Sequence, residues 1–249
     1  MRVRILTYNI HKAIGLDRSF RPERIAEVIR HHEPDLAILQ EVDHGAPRSR
    51  RLDLACELAQ LCELEHCAAG YNVRLSEGQY GNATLSRWPI EEHSNVDLTI
   101  GRRKKRGAFY TRIHAQPHRG GGEGHPLHLF NTHLGLSARE RHRQIARLAQ
   151  SEPFAALDVS AACVVGGDFN DWRSLLFDEM VRVLGFHCST TTERRALRTY
   201  PSLTPQGPLD RVYCRGPLRT LDARVSRLRA ARLASDHLPV VVDLELHGP

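Results

Sequence analysis

Long apolar runs are missing from this 249-residue chain. None approaches the roughly 18 residues that a membrane-spanning helix requires. The opening MRVRILTYNI alternates like a strand and lacks the apolar stretch and small-residue cleavage site of an export signal. A soluble, cytoplasmic chain is therefore expected. The six cysteines (Cys56, Cys62, Cys67, Cys163, Cys188 and Cys214) form no CxxC pair and no dense framework, so reduced thiols are expected in place of disulfides. Fifteen histidines include no HExxH and no close Cys/His cluster, which argues against zinc. Aromatic residues make up only 6%, without the interleaving of basic and aromatic side chains that stacks bases.

What is present is the composition of a globular protein, 41% hydrophobic and 26% charged, enough to bury a sizeable core in one domain spanning residues 1–249. A monomer is expected. The net charge of +6 favours anionic partners without choosing among phosphoesters, nucleic acids and acidic lipid surfaces.

Periodicity predicts a strand over Arg2 to Asn9, a helix over Arg21 to His32 stopped by Pro34, and an apolar strand over Leu36 to Val42. His31 and His32, on that helix, are read as solvated. A helix over Arg51 to Leu61 follows, then strands over Asn82 to Ser86, His93 to Thr99 and Ala108 to Ala115. The glycine-rich stretch Gln116 to His125 reads as a hairpin loop. Strand, helix, strand recurs over Leu127 to His133, Arg139 to Gln150 and Ala162 to Gly166. Ser174 to Leu184 reads as helical, and Leu209 to Cys214, Val225 to Leu228 and Val240 to Leu246 as strands. The second half thus echoes the first, and polar residues gather where apolar strands end, where ligands collect in such layouts.

Gln40 and Glu41 close the strand LAILQEVD. A carboxylate there needs a partner, either a cation or an arginine, because unpaired burial costs several kcal/mol. In VVGGDFND, Asp168 and Asn170 stand two apart after a strand, a spacing that suits contact with water and a phosphate oxygen but also an Asx turn or helix cap. Asp236 and His237 precede the last strand. Histidine suits proton transfer near neutrality, and Asp210 of LDRVY is the candidate carboxylate to fix its tautomer. In NTHLG His133 stands at the end of a strand, and Asn9 ends the first strand.

The ordered set TYNIH, LQEVD, GNATLSRWP, NTHLG, GGDFND, LDRVY and SDHLP resembles the endonuclease/exonuclease/phosphatase superfamily, from Arg4 to Leu244. The resemblance implies an α/β fold, a four-layer α/β/β/α sandwich of two packed, mostly antiparallel sheets flanked by helices. It implies a phosphoester hydrolase using Mg²⁺ or Mn²⁺. Glu41 matches the principal metal ligand, Asn9 its neighbour and Asp236 a second candidate ligand. Asp168 matches the residue that aligns or deprotonates the attacking water, and Asn170 the amide that holds the phosphate. His237 matches a general base or phosphate ligand supported by Asp210, and His133 a phosphate-stabilising or acid residue. Gly81 and Asn82 are expected at the pocket rim. His11 and Lys12 stand where the family places Asp or Gly, and His11 is taken as a substrate-binding candidate.

Within the superfamily, Val42 and Asp43 after Glu41 depart from the lysine usual in abasic-site endonucleases. Leu209 departs from the cysteine usual before the Asp-Arg of 5-phosphatases. NIHK, KRGAFYTRI and GDFNDWR are most similar to compact bacterial members. The expected activity is a phosphodiesterase on DNA, RNA or a phospholipid headgroup. The alternatives are a phosphomonoesterase on a small sugar or inositol phosphate, and a noncatalytic scaffold of the same fold. The run RRKKRG, Arg102 to Gly107, fits either a phosphate-facing loop or a solvated hairpin tip.

Overall fold

Alternation along the first strand decides the layering. Val3 and Ile5 face one way and Leu6 and Tyr8 the other, and all four are fully buried, as only a strand covered on both faces allows. The computed structural model describes residues 1–117, 124–191 and 196–247. Among the described residues, twelve strands form two six-stranded sheets. The first sheet holds β1 (Arg2–Asn9), β2 (Leu36–His44), β3 (His66–Arg74), β4 (Gln79–Ser86), β11 (Leu218–Val225) and β12 (Val240–Leu246), in the order β11-β12-β1-β2-β4-β3. The second holds β5 (Ile90–Asp97), β6 (Gly107–Ala115), β7 (His125–His133), β8 (Cys163–Asp168), β9 (His187–Cys188) and β10 (Asp210–Arg215), in the order β5-β6-β7-β8-β10-β9.

Each sheet contains one parallel pair, β1 with β2 and β7 with β8, among otherwise antiparallel neighbours. A helical crossover joins each pair: α1 (Pro22–His32) in the first half, and α3 (Ala138–Ala149) with the short α4 (Glu152–Ala155) in the second. Ile25, Val28 and Ile29 seat α1 on the outer face of the first sheet, beside α2 (Leu54–Cys62) and α5 (Arg229–Ala234). Ile145, Leu148 and Phe154 seat α3 and α4 on the second sheet against Phe130 and Val165. Between the sheets lie Val3, Ile5, Ile38, Leu129, Val164, Val212 and Val242. The result is the expected α/β/β/α sandwich, with sheets that are mixed. No helix among the described residues is long and apolar enough to cross a membrane.

Several local expectations change. β3 and α5 add to the predicted elements, β5 starts earlier than expected, and β11 ends at Val225 where a strand was expected to begin. Within Ser174 to Leu184, residues 177–183 are helical and widen at Glu179–Val183, while 174–176 form a turn. His31 is exposed, but His32 is half-buried, its ring bonded to Ser226 Oγ at 2.8 Å and pushed down to about 4 by burial. The glycine-rich stretch falls mostly on 118–123, outside the described residues.

Candidate active site

Parallel strands end side by side, so the C-terminal ends of β1, β2, β7 and β8 bring Asn9, Glu41, His133 and Asp168 to one edge of the sandwich. Asp210 opens β10 opposite Asp168, in direct register. His237 stands just before β12, whose antiparallel pairing with β1 sets it beside Asn9. Asn9, Glu41, His133, Asp168 and His237, scattered along the chain, thereby share one cleft of about 310 Å³, with Asp210 behind it. Wider cavities of about 570, 650 and 810 Å³ among the described residues hold none of these groups.

Asp168 is the hub. Gly167 before it has φ +131°, and a Cβ there would sit 2.0 Å from Thr132 O, so only glycine lets β8 run this close to β7. One oxygen of Asp168 accepts from the Asn9 side-chain amide at 3.0 Å, and the other from the Asn170 backbone N–H at 2.9 Å. Nε2 of His133 lies 3.5 Å away and Nε2 of His237 3.7 Å away. Asn170 adopts a left-handed conformation (φ 50°) and donates its side-chain amide to Leu134 O at 3.0 Å, tying the loop after β8 to the loop after β7.

Behind His237, Asp210 is wholly buried, and its Oδ2 lies 2.8 Å from Nδ1 of the ring. Among the described residues its other oxygen has no hydrogen-bond partner. Ser235 joins this loop to the first strand, its hydroxyl donating to Asn9 O at 2.7 Å and accepting from the His237 backbone N–H at 3.2 Å. The Tyr200 ring covers the imidazole at 4.9 Å.

The charges follow from this geometry. Burial works against a charged His237, but Asp210 and Asp168 outweigh it and lift the ring to about 10, so it is an imidazolium at neutral pH. Burial, with Asp210 nearby, pushes Asp168 upward. Burial and the Arg106 charge push His133 well down, leaving it neutral.

Glu41 reaches the cleft through a β-bulge. Gln40 stays between the sheets, donating to Asn131 Oδ1 at 2.8 Å, and the register against β4 shifts between Gln40 and Val42, with Glu41 itself at φ 59°. A bulge of this kind re-aims one side chain without displacing the strand. The Lys12 ammonium is bonded to Glu41 Oε2. Burial would raise this carboxyl, but the fields of His133, Lys12 and His11 hold it at about 2. Since His133 is neutral at pH 7, Lys12 is the cation that matters there.

Asp236 is half-buried and lines the cleft. Asn82 is buried beside Arg106 and His133, and its side-chain amide donates to Gly107 O and Asn131 O at 3.2 and 2.9 Å. Its hydrogens are thereby committed, and it shapes the wall. His11 turns a ring nitrogen to Ile14 O at 2.9 Å and stands outside the cleft lining, while its neighbour Lys12 reaches Glu41.

Sequence reasoning did not single out Arg106, Lys104, Trp172 or Tyr200, all of which line the cleft. The basic run divides. Arg102, Arg103, Lys104 and Lys105 are exposed, with Arg103 on Glu140 at 3.1 Å, whereas Arg106 is only 6% exposed and its Nε has no hydrogen-bond partner among the described residues. The signal was the position of Arg106, the last residue before a buried strand.

An oxygen-rich donor set suits a hard divalent cation. Glu41, Asn9 and Asp236 line the wall, and Glu41 already carries the positive charge of Lys12. Among the described residues, the histidine, cysteine or acidic trio with ligand atoms within 4.8 Å of one another is Asp168, Asp210 and His237. The oxygen donors of the first set suit such a cation, whereas in the second the ring of His237, protonated and bonded to Asp210, has no lone pair to offer.

The model of the endonuclease/exonuclease/phosphatase family matches residues 6–237. The chain belongs to that family. The family match spans every site residue described above. The uncharacterized protein YbhP of Escherichia coli (strain K12) is 32% identical over 98% of this chain and 96% of its own length. Among solved structures, an endonuclease/exonuclease/phosphatase from Beutenbergia cavernae superposes with TM-score 0.82 at 23% identity, covering 99% of this chain and 72% of that one. The mannosyl-6-phosphatase Bt3783 of Bacteroides thetaiotaomicron gives 0.76 at 16% identity, covering 98% of this chain and all of that one. Truncated TDP2 of Caenorhabditis elegans gives 0.70 at 21% identity, over 98% and 97% of the two chains. At these identities the structural likeness establishes the shared family fold.

Proposed function

We propose that the protein is a Mg²⁺- or Mn²⁺-dependent phosphoester hydrolase, acting as a phosphodiesterase on a nucleic acid or phospholipid-type substrate. The observation that carries this reading is the placement of Asp168 between a buried imidazolium, His237, and a neutral imidazole, His133, with Arg106 beside them in the same cleft. Such a site offers a proton acceptor and several donors to the oxygens of one phosphoryl group.

Asp168, pushed up by burial, orients the attacking water and takes its proton. Arg106, Asn170 and His133 hold the phosphoryl oxygens, and His237, fixed by Asp210, donates to the oxygen on which charge develops. Glu41, Asn9 and Asp236 would hold the divalent cation, which neutralises charge on the phosphoryl oxygens and activates water. In-line attack by water needs positioning and charge stabilisation more than covalent catalysis. Exposed Leu136 and half-exposed Trp172 at the cleft suit a diester with a substituent on each side. The second reading is a phosphomonoesterase on a small sugar or inositol phosphate, favoured by the small size of the cleft.

Bis(p-nitrophenyl) phosphate with added Mn²⁺ or Mg²⁺ tests the chemistry. Turnover that is lost with excess EDTA and restored by metal is expected, and full activity in EDTA would overturn the metal mechanism. A panel of plasmid DNA, RNA, phospholipid vesicles and inositol phosphates then chooses the substrate class.

A further inference from the structure

Far along the chain from the catalytic aspartate, two thiols meet. Cys56 lies on α2 and Cys67 on β3, and their Sγ atoms are 3.0 Å apart. Cys56 is exposed and Cys67 half-buried, so a small reagent reaches the pair from solvent. A disulfide bond is about 2.05 Å long, so closing it needs an approach of about 1 Å between sulfurs already in contact. The pair joins a helix to an edge strand across a short connection, a geometry in which a crosslink braces the sheet border. Among the described residues, no third histidine, cysteine or acidic group completes a metal-binding trio with these sulfurs.

We propose that Cys56 and Cys67 are a reversible disulfide site, oxidised by a small-molecule disulfide such as oxidised glutathione. Exposed Cys56, as its thiolate, attacks one sulfur of the oxidant, forming a mixed disulfide and expelling one glutathione thiolate. Cys67, after losing its proton, attacks the Cys56 sulfur of that mixed disulfide and expels the second. Two protein thiols lose two protons and two electrons. The electrons reduce the oxidant, and the protons end on two glutathione thiols. The hydrogen bond with Cys67, with burial added, raises the Cys56 thiol to about 12, so thiolate is scarce at neutral pH and the reaction is slow there.

Closing the bond fastens β3 to α2. β3 is the outermost strand of its sheet and carries Asn72 against Gly107, where a Cβ would sit 2.3 Å from the Asn72 amide nitrogen, one residue from Arg106. The crosslink braces the strand next to that wall.

The test is peptide mapping of the full-length protein after incubation with oxidised glutathione at pH 7 and about pH 8.5, where thiolate is more abundant. The expected product is about 2 Da lighter, contains one crosslinked pair of peptides bearing Cys56 and Cys67, forms faster at the higher pH, and reverts with dithiothreitol. Its thermal midpoint is expected to rise by about 5 °C, as for a crosslink across a short loop. Cys56→Ser and Cys67→Ser should each abolish the mass loss. Both thiols remaining alkylatable after prolonged exposure at the higher pH would overturn the proposal. So would a persistent glutathione adduct on Cys56 with Cys67 free, or a crosslink to Cys62. Mapping the wild-type protein decides the matter even if a serine variant fails to fold.

Discussion

His237 and Asp210 are a buried pair, with Nδ1 of the ring 2.8 Å from Oδ2 of the carboxylate. The carboxylate holds Nδ1, so the nitrogen facing Asp168, Nε2, is oriented by a group outside the cleft lining. Separating the two should therefore cost turnover while leaving the cleft lining intact.

His237→Ala is expected to lower turnover of an aryl phosphodiester by about 10² or more, the usual scale of a general acid or phosphate-contacting imidazole. Asp210→Asn should give a loss of similar order. Because the two act as one unit, the double variant should be little worse than either single one. A loss under about twofold for His237→Ala would remove the ring from the mechanism.

Arg106 is a buried cation whose Nε has no hydrogen-bond partner among the described residues, which is costly for stability and useful for an anion. Arg106→Met is expected to leave the thermal midpoint unchanged or raised, while kcat/KM falls about 10²-fold and product inhibition by inorganic phosphate weakens. Unchanged kcat/KM and phosphate inhibition together would show that the guanidinium plays no part at the phosphoryl group.

Glu41 reaches the cleft only through the β2 bulge and is held ionised at neutral pH. Glu41→Gln keeps the shape and removes the charge. The expected outcome is turnover below about 1% of wild type, together with a higher Mn²⁺ concentration for half-maximal activity. An unchanged metal requirement with normal turnover would move the cation away from Glu41.

Asp243, in the middle of β12, carries three guanidinium groups. Arg2 and Arg4 contact it at 2.7 Å and Arg224 at 3.0 Å. Burial opposes its charge, but the arginine hydrogen bonds prevail and hold its pKa well below the usual carboxylate range. A depressed folded-state pKa contributes stability that is present above the unfolded value, about 3.9, and is lost as pH falls through the folded one. Asp243→Asn should therefore cost about 3 kcal/mol in urea unfolding at pH 7, with the gap to wild type narrowing below about pH 4. A gap that held constant down to pH 2 would assign the loss to shape and not to charge.

The two-layered sheet plan was legible because β1, β2, β7, β8 and β12 are apolar on both faces or end in polar residues, and the repeat of strand, helix and strand exposed the internal echo. β3 was not, since HCAAGYNVR is an edge strand, half-buried and without alternation. The π-type turn after Ser174 keeps helical spacing over too few residues to be told from a helix by period alone. At the cleft, strand-end positions exposed Asn9, Glu41, His133, Asp168 and Asp210, and the structure gathers them with Asn170, Asp236 and His237. Arg106 was hidden in a run of like charges, where sequence cannot tell which cation turns inward. The bond between Lys12 and Glu41 depends on the left-handed turn His11-Lys12-Ala13, for which no glycine gave warning.

The first and last strands lie side by side, β12 filling the place between β11 and β1. During synthesis, β1 must wait with one bare edge until β12 has emerged. Asn9 and the loop of His237 meet across that late seam. A nascent chain halted before β12 is thus predicted to be inert as well as prone to pairing its open border with a stranger.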